Sequence, residues 1–116
     1  MNIQIYGKSK CFDTKKAERF FKERRIKFQS VDIEKYGLSK GEYQIVKNAV
    51  GGMENLIDKK SKKYESLHIE YLSSREDAEE KLLANPEMFI SPIVRNGKLA
   101  TLGYRPDVWD EWIKEG

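Results

Sequence analysis

Cys11 is the only cysteine in this sequence and the residue best suited to chemistry. It follows the alternating run Ile3-Gln4-Ile5-Tyr6 and directly precedes a stretch with helical spacing. A thiol at the first turn of a helix faces unpaired backbone N–H groups and the positive end of the helix dipole, which lower its pKa. Asp13 opposes this shift, whereas four neighbouring lysines favour it: Lys8, Lys10, Lys15 and Lys16. The alternative is that Cys11 is a small buried residue without a chemical role.

A single cysteine limits the redox chemistry that the chain could perform. It excludes an internal disulfide and a cysteine-rich zinc site, and we expect neither a metal nor a bound cofactor. The residue three positions after Cys11 is Thr14, so the second half of a Cys-x-x-Cys motif is missing. An oxidised Cys11 would therefore need an outside thiol, such as glutathione or a redoxin, to become reduced again.

The dipeptide Ser91-Pro92 is the second feature that could belong to a thiol site. In thioredoxin-like folds a cis-proline at the start of the third strand lies beside the reactive cysteine, and a cis bond is a deliberate feature where it occurs. The alternative is an ordinary trans proline that opens an edge strand. The order of strands described below favours the cis form.

Three other features have a structural interpretation beside a functional one. His68 is the only histidine, and we favour a structural role over that of a general base paired with Cys11. Trp109 and Trp112 stand at near-helical spacing, which indicates packing of the last helix more than binding. The lysine-rich stretch 59–63 is typical of a solvated loop.

Length and composition bound the class of protein. With 116 residues, 39% hydrophobic and 35% charged, the chain is expected to form one domain over residues 1–116 with a well-solvated surface. The net charge of +3 is spread along the chain and does not indicate direct nucleic-acid binding. No secretory signal or long apolar run is visible, so we expect a cytoplasmic monomer without a membrane partner.

The first third of the chain predicts a βαβ unit. Residues 2–6 alternate as a strand, and a helix is expected from about Phe12 to Arg25 with one buried face, formed by Ala17, Phe20 and Phe21. A second strand follows at about 27–32, marked by Phe28, Val31 and Ile33. Parallel pairing of the two strands is the natural expectation for this order of elements.

The middle of the chain, about residues 36–89, predicts a helical insertion. Two capping-box patterns, Ser39 to Glu42 and Ser73 to Glu76, each open a helix. Gly51-Gly52 ends the first helix, Met53 to Ile57 resembles a short helical turn, and Asn85-Pro86 ends the second helix.

The last third predicts a hairpin and a helix. Asn96-Gly97 lies between two apolar runs, which is the strongest short-range hairpin signal, and Leu99 to Leu102 forms the second strand. Pro106 suits the first turn of the final helix. The expected fold is therefore α/β, a thioredoxin-like mixed four-stranded sheet (βαβ then ββα) with a central helical insertion.

Nearly the whole chain resembles the arsenate reductase (ArsC) family, which includes Spx-type regulators. The segments that carry the resemblance are IQIYGKSKCFDTKKAERFF, GGMENLIDKKSKKYESL and ISPIVRNGKLATLGYRPDVWDEW. The resemblance implies a thioredoxin-like sheet interrupted by a helical insertion. It also implies that Cys11 matches the cysteine that attacks the oxyanion in the reductases, where glutathione and glutaredoxin complete the reduction.

The chain departs from the arsenate-reducing members at the residues that hold the oxyanion. Lys15, Asp58 and Ser91 stand where those enzymes have arginines, and Gly7 replaces a histidine; Arg105 alone matches a family arginine. Planar guanidinium groups match the oxygens of an oxyanion. These departures predict that arsenate itself binds poorly.

Two functions are compatible with this resemblance. The first is a single-cysteine thiol oxidoreductase that uses glutathione or a redoxin and acts on a small anionic or thiol substrate. Cys11 would be the nucleophile, Arg105 would hold an anionic group, and support for thiolate or substrate would come from Thr14, Lys15, Ser91 and Pro92.

The second function is a Spx-like regulator or adaptor that binds the RNA polymerase α subunit, or another protein, without catalysis. Many Spx-type members sense oxidation through Cys-x-x-Cys, and Thr14 excludes that switch here. A scaffold that has lost its chemistry is a third interpretation, and the sequence leaves open whether the chain is an enzyme.

Overall fold

The computed structural model describes residues 1–61, 64 and 74–115 of the chain. Within them the strands are β1 (Ile3–Gly7), β2 (Phe28–Asp32), β3 (Ile93–Asn96) and β4 (Leu99–Leu102). The helices are α1 (Phe12–Glu23), α2 (Ile33–Tyr36), α3 (Lys40–Val50), α4 (Arg75–Ala84) and α5 (Pro106–Glu115), with short 3₁₀ helices at Met53–Leu56 and Pro86–Met88.

The four strands form one mixed sheet in the order β2-β1-β3-β4. β1 pairs with β2 in parallel and with β3 antiparallel, so Tyr6 lies between Val31 and Ile93. β3 and β4 form the antiparallel hairpin predicted from Asn96-Gly97. The predicted fold class is therefore confirmed, with β1 and β3 at the centre of the sheet.

The sheet separates two apolar clusters because side chains alternate along each strand. Ile3 and Ile5 of β1 face one cluster, which α1 and α5 cover with Phe21 and Trp109. Tyr6 faces the other cluster, built mainly from the segment between β2 and β3. Trp109 is fully buried and its Nε1–H donates to Thr101 Oγ1 at 2.8 Å, so the predicted packing role of this tryptophan is confirmed.

Helix α1 ends two residues earlier than predicted. Arg25 adopts a left-handed backbone with φ of 59°. Its N–H donates to the Lys22 carbonyl at 3.1 Å, and the Ile26 N–H donates to the Phe21 carbonyl at 2.9 Å. These two bonds satisfy carbonyls at the helix end in the manner of a Schellman motif, so the chain turns at Arg25 instead of continuing the helix.

Strand β2 ends at Asp32, as the predicted span of about 27–32 requires, but Ile33, a predicted marker of this strand, begins α2. The Asp32 carboxylate accepts hydrogen bonds from the N–H groups of Glu34 and Lys35, at 3.1 and 3.3 Å. This N-cap stabilises a helical turn, and Ile33 is fully buried within it.

Helix α3 has both of its predicted ends. The Ser39 hydroxyl and the Glu42 carboxylate form the reciprocal capping box, and Gly51 closes the helix in the left-handed region with φ of 88°. The predicted second capping box is placed one residue too early, because the cap of α4 is Ser74, whose hydroxyl accepts from the Asp77 N–H at 3.1 Å.

Some predictions are not decided by these elements. Ser73 and His68 lie outside the described residues, and the single domain over residues 1–116, with its insertion at about 36–89, stays a prediction. Among residues 1–61, 64 and 74–115, no helix has the length and apolar character that crossing a bilayer requires.

Candidate functional site

Cys11 is the N-cap residue of α1, directly after the loop that follows β1. Its backbone is extended, with φ of −90° and ψ of 117°. The Cys11 N–H donates to the Lys8 carbonyl at 3.1 Å, and the Lys15 N–H donates to the Cys11 carbonyl at 3.4 Å. The half-buried thiol therefore stands at the start of the helix, as the sequence predicts.

The peptide bond between Ser91 and Pro92 is cis, as predicted. Pro92 is buried and directly precedes β3, which lies beside β1. The pairing of Tyr6 with Ile93 brings the Ser91 carbonyl to the thiol, and Cys11 Sγ donates to it with a separation of 3.5 Å. The two features that the sequence singles out are thus one site.

Two hydroxyl groups connect this site to the loop after β1. Thr14 Oγ1 and Ser91 Oγ are 2.9 Å apart, and the Lys8 N–H donates to Ser91 Oγ at 3.0 Å. Thr14 is only 8% exposed. The structure therefore brings together four of the predicted residues, Cys11, Thr14, Ser91 and Pro92.

Gly7 is required beneath Thr14. A Cβ atom at position 7 would lie 2.2 Å from Thr14 Cγ2 and 2.5 Å from Thr14 Oγ1. Such separations are far shorter than van der Waals contact, so a side chain at position 7 and the present position of Thr14 exclude each other. From the resemblance, Gly7 was known only as the residue that replaces a histidine. The structure shows that it makes room for Thr14.

The surroundings of Cys11 favour its thiolate. Burial raises the pKa of the thiol, but hydrogen bonds from the side chains of Thr14 and Ser91 and from the backbone N–H groups of Thr14 and Asp13 outweigh it. The pKa of Cys11 therefore lies below its ordinary value. The Asp13 carboxylate lies 4.0 Å from Lys16 Nζ.

Lys8 has a role that the sequence did not reveal. Its Nζ donates to the Glu87 carbonyl at 2.8 Å and lies 3.9 Å from Asp58 Oδ2. Asp58, for which the resemblance implies an arginine in arsenate-reducing members, here faces a cation from the loop after β1. Lys8 thus joins the thiol loop to the segment between β2 and β3, across about 50 residues of sequence that contain no local signal for the pair.

Lys15 lies beside Thr14, and its predicted support of the thiolate or substrate stays a prediction. Its side chain is exposed and lines an open groove of about 360 Å³, beside Thr14 on the side of β2. Ser30 and Asp32 line the same groove. Lys15 therefore brings a positive charge to a groove that Glu18 and Asp32 also line.

Arg105 is not joined to the thiol site by any contact in the described residues. It precedes α5, and its guanidinium donates to both carboxylate oxygens of Asp107, at 3.3 and 3.2 Å. Its side chain is 51% exposed. The pattern Arg-x-Asp in the sequence was the available signal for this pair.

The described residues contain no group of three or more histidine, cysteine, aspartate or glutamate side chains that could hold a metal ion. The groups around the Cys11 thiol are two hydroxyls, backbone N–H and carbonyl groups, and nearby charges.

Comparison with known proteins places this geometry in context. The family model described as the ArsC family matches residues 6–112. The global transcriptional regulator Spx 2 of Oceanobacillus iheyensis is 32% identical over 112 residues, which cover 92% of this chain and 80% of that protein. Among solved structures, an arsenate reductase from Vibrio cholerae superposes with a TM-score of 0.83 at 20% identity, covering 96% of this chain and 97% of that one.

A second solved structure supports the same fold. An arsenate reductase (ArsC) related protein from Brucella melitensis has a TM-score of 0.67 at 23% identity, covering 98% of this chain and 96% of that chain. At these identities the structural comparisons establish the thioredoxin-like fold of the arsenate reductases.

Proposed function

Since the chain belongs to the ArsC family, we propose that it is a thiol oxidoreductase in which Cys11 is the nucleophile. The observation that carries this proposal is the position of Cys11, at the N-cap of α1 and within 3.5 Å of the carbonyl that precedes cis-Pro92. Hydrogen-bond donors around the sulfur favour the thiolate, which is the nucleophilic form.

The proposed reaction is thiol–disulfide exchange in two steps. The Cys11 thiolate attacks a substrate disulfide, for example a protein thiol joined to glutathione. A new bond forms between Cys11 and one sulfur, the substrate disulfide breaks, and the other sulfur leaves as a thiolate that takes up a proton. A second thiol, from glutathione or a redoxin, then attacks the mixed disulfide, restores the Cys11 thiolate and becomes part of a new disulfide.

Other residues support this reaction in the proposal. Thr14 and Ser91 stabilise the thiolate, and Pro92 shapes the surface on which the substrate thiol lies. Lys15 meets an anionic group in the adjacent groove. Arg105 would contribute only if an anionic group of the substrate replaced Asp107, which the exposure of its side chain permits.

Arsenate is not the proposed substrate. Lys15, Asp58 and Ser91 provide no planar guanidinium at the three positions where arsenate-reducing relatives have arginines. Asp58 adds negative charge near Lys8. The proposed substrate is therefore a disulfide that does not need a cluster of arginines.

Two assays test the proposal: one measures the apparent pKa of Cys11, and the other measures glutathione transfer. The alkylation rate of Cys11 by a neutral electrophile, followed by mass spectrometry across pH, should give an apparent pKa below the ordinary value of about 8.5. Release of glutathione from a peptide mixed disulfide, with glutathione as the reductant, should be lost in Cys11→Ser. Full transfer by Cys11→Ser, or a thiol that titrates at or above the ordinary value, would overturn the proposal.

A second candidate function is that of a Spx-like adaptor, and the 32% identity to a global transcriptional regulator favours it. In this case the fold would serve as a docking surface for the RNA polymerase α subunit, and Cys11 would be dispensable. Purified α subunit captured equally well by wild type and Cys11→Ser, together with absent thiol transfer, would support the adaptor over the oxidoreductase.

A further inference from the structure

We propose that the groove between α1 and the start of α5 binds an acidic polypeptide segment, and that this segment belongs to the protein whose disulfide Cys11 attacks. This α1–α5 groove has a volume of about 430 Å³. Its lining includes side chains of α1, of the α1 C-cap and of the chain that enters α5: Lys16, Arg19, Phe20, Arg24, Tyr104 and Pro106. The inference rests on the proposed function and deepens it, because it names the kind of substrate that would reach the thiol.

Both walls of the α1–α5 groove begin at the thiol site. Phe12, the first residue of α1, directly follows the nucleophile, and Lys16 lies one turn further along the helix. On the other side, the Gly103 N–H donates to the carbonyl of cis-Pro92 at 2.9 Å, and Tyr104 is the next residue. Lys16 Nζ lies 5.5 Å from the centroid of the Tyr104 ring. A segment in this groove would therefore lead directly to the thiol.

The groove is long enough for a short stretch of extended chain. Phe12, Lys16, Arg19 and Glu23 follow one another at intervals of three or four residues, which places them along one side of α1. At a rise of about 1.5 Å per residue, they span about 16 Å of the helix. This is the length of about five residues of extended polypeptide. A small free disulfide would reach only the thiol end of such a groove.

The charge of the lining is predominantly positive. Lys16, Arg19 and Arg24 contribute three cations, and Glu23 contributes the single acid of the lining. Arg19 is exposed and forms no ion pair within the described part of the chain. The groove therefore complements a segment that carries several carboxylates.

Two of these cations have an acidic neighbour, but both pairs are weak. Lys16 Nζ lies 4.0 Å from Asp13 Oδ1, and Arg24 Nε lies 3.8 Å from Asp110 Oδ1. All four side chains are at least 42% exposed, and exposed ion pairs contribute little to stability. Carboxylates of a partner can therefore share or replace these contacts at small cost.

Aromatic rings supply the apolar part of the surface. Tyr104 is 40% exposed and stands edge-on against buried Trp109, with ring centroids 5.6 Å apart. The guanidinium carbon of Arg24 lies 3.7 Å from the centroid of the Phe20 ring. At the thiol end, Phe12 is 81% exposed. Aromatic and arginine side chains are enriched in protein interfaces, so the lining fits a polypeptide better than a bare anion.

A nucleic acid fits this surface less well. The phosphates of a nucleic acid would bring a regular series of negative charges, which needs a matching series of cations. Glu23 lies within the groove, and Asp110 stands beside it at the Arg24 contact. A polypeptide can place carboxylates at the three cations and neutral side chains at these acids.

Glutathione transfer from three matched peptides tests the groove. Each peptide carries a cysteine joined to glutathione, and the flanking residues are glutamate in the first, glutamine in the second and lysine in the third. With the full chain at low salt, the glutamate peptide should have a KM about three- to tenfold below that of the glutamine peptide, with nearly the same kcat. The lysine peptide should have the highest KM. Salt at about 0.5 M should remove most of these differences.

A charge reversal in the groove is compared with a matched reversal far from it. Arg19→Glu should raise the KM for the glutamate peptide by about three- to tenfold at low salt and lower the KM for the lysine peptide. Lys98→Glu makes the same change of net charge at an exposed position, at the end of β3 opposite to Ser91, and should keep the wild-type preference. An unchanged preference in Arg19→Glu, or an equal loss in Lys98→Glu, would overturn the proposal.

Binding without chemistry separates this inference from the proposed function. Transfer from all three peptides with one KM would overturn this inference alone, whereas absent transfer by wild type from every peptide would overturn the proposed function. In that second case fluorescence anisotropy of the labelled peptides with Cys11→Ser decides the groove. Tighter binding of the glutamate peptide, lost when Arg19→Glu is added, would support the groove, and equal binding of the three peptides would overturn it.

Two controls test the choice of occupant. An oligothymidylate that binds Cys11→Ser as tightly as the glutamate peptide, and loses this binding with Arg19→Glu, would overturn the choice of a polypeptide. Sedimentation of wild type and Arg19→Glu tests a second copy of the chain as the occupant. A dimer that is present in wild type and lost in Arg19→Glu would overturn the choice of a separate partner.

Discussion

The close approach of Gly7 and Thr14 predicts that Gly7→Ala destabilises the fold. The backbone at Gly7 is not in the left-handed region, so alanine can adopt it. On that ground alone the substitution would stabilise the protein by about 0.4–1 kcal/mol, because alanine restricts the unfolded chain. The structure instead predicts that Gly7→Ala lowers the free energy of unfolding.

The cost arises from the position of the new methyl group. It would lie 2.2 Å from Thr14 Cγ2, 2.5 Å from Oγ1 and 2.9 Å from Cβ, so Thr14 must move by more than an ångström. Thr14 is short, β-branched and buried, and it cannot bend away as a long side chain would. Overpacking of this kind costs about 1–3 kcal/mol, which leaves a net loss of about 1–2 kcal/mol.

Urea denaturation of four variants tests this reasoning. Gly41→Ala is the matched control, because a Cβ atom in that helical position meets nothing within 4 Å and should add about 0.5–1 kcal/mol. In a Thr14→Ala background the two closest atoms are absent, and the cost of Gly7→Ala should fall by at least half. The reasoning is refuted if Gly7→Ala stabilises as Gly41→Ala does, or costs the same in both backgrounds.

Two further predictions concern the segment between β2 and β3. Ser39→Ala removes the N-cap of α3, where the hydroxyl accepts from the Glu42 N–H at 3.1 Å. Urea denaturation should show that the free energy of unfolding falls by about 1 kcal/mol. Unchanged stability would contradict this role of Ser39. Glu79 accepts from the Tyr43 hydroxyl at 2.6 Å and from Lys47 Nζ at 3.0 Å, and these bonds hold the pKa of its carboxyl below the ordinary value. Its stabilising contribution is therefore present above about pH 4.3 and is lost as the pH falls through the lower folded-state pKa. Glu79→Gln should lower the urea midpoint at neutral pH and flatten its dependence on pH below about 5, and identical pH profiles for the two proteins would count against the assignment.

The order of strands and helices could be predicted because each element carries a local signal. The alternation around Ile3 and Ile5, the helical spacing of Ala17 and Phe21, and the turn at Asn96-Gly97 are all short-range patterns. Joined in sequence, they were sufficient for a mixed four-stranded sheet. The position of Cys11 at the start of α1 followed from the same local signals.

The exact ends of elements were less predictable where two local choices compete. Ser73-Ser74 precedes Glu76-Asp77, so a serine and an acid three residues later occur in two adjacent registers. In the structure the burial of Ala78 and Leu82 accompanies the later register, with Ser74 as the cap. At Arg25 the left-handed turn uses a residue that gives no such signal, because glycine is the usual choice there.

Contacts within the site were only partly predictable. Ser91 and Thr14 were expected near the thiol, but their hydroxyl contact joins the first turn of α1 to a residue 77 positions later in the chain. The pairing of Lys8 with Asp58 and the fit of Gly7 beneath Thr14 depend on packing distances that no spacing in the sequence contains. The contact of Arg105 is local and could be read from the sequence, because its guanidinium donates to Asp107, which is only two residues away.

The thiol site is completed by contacts between distant parts of the chain. Ser91 is 80 residues from Cys11, 77 from Thr14 and 83 from Lys8. During synthesis β1, α1 and β2 emerge well before β3, and contacts of such long sequence separation form later in folding than local ones. Until β3 reaches β1, Cys11 has neither the hydroxyl nor the carbonyl of Ser91 beside it and keeps only the local donors of α1, from Thr14 and Asp13. A change in the reactivity of Cys11 would therefore report that β3 has joined β1.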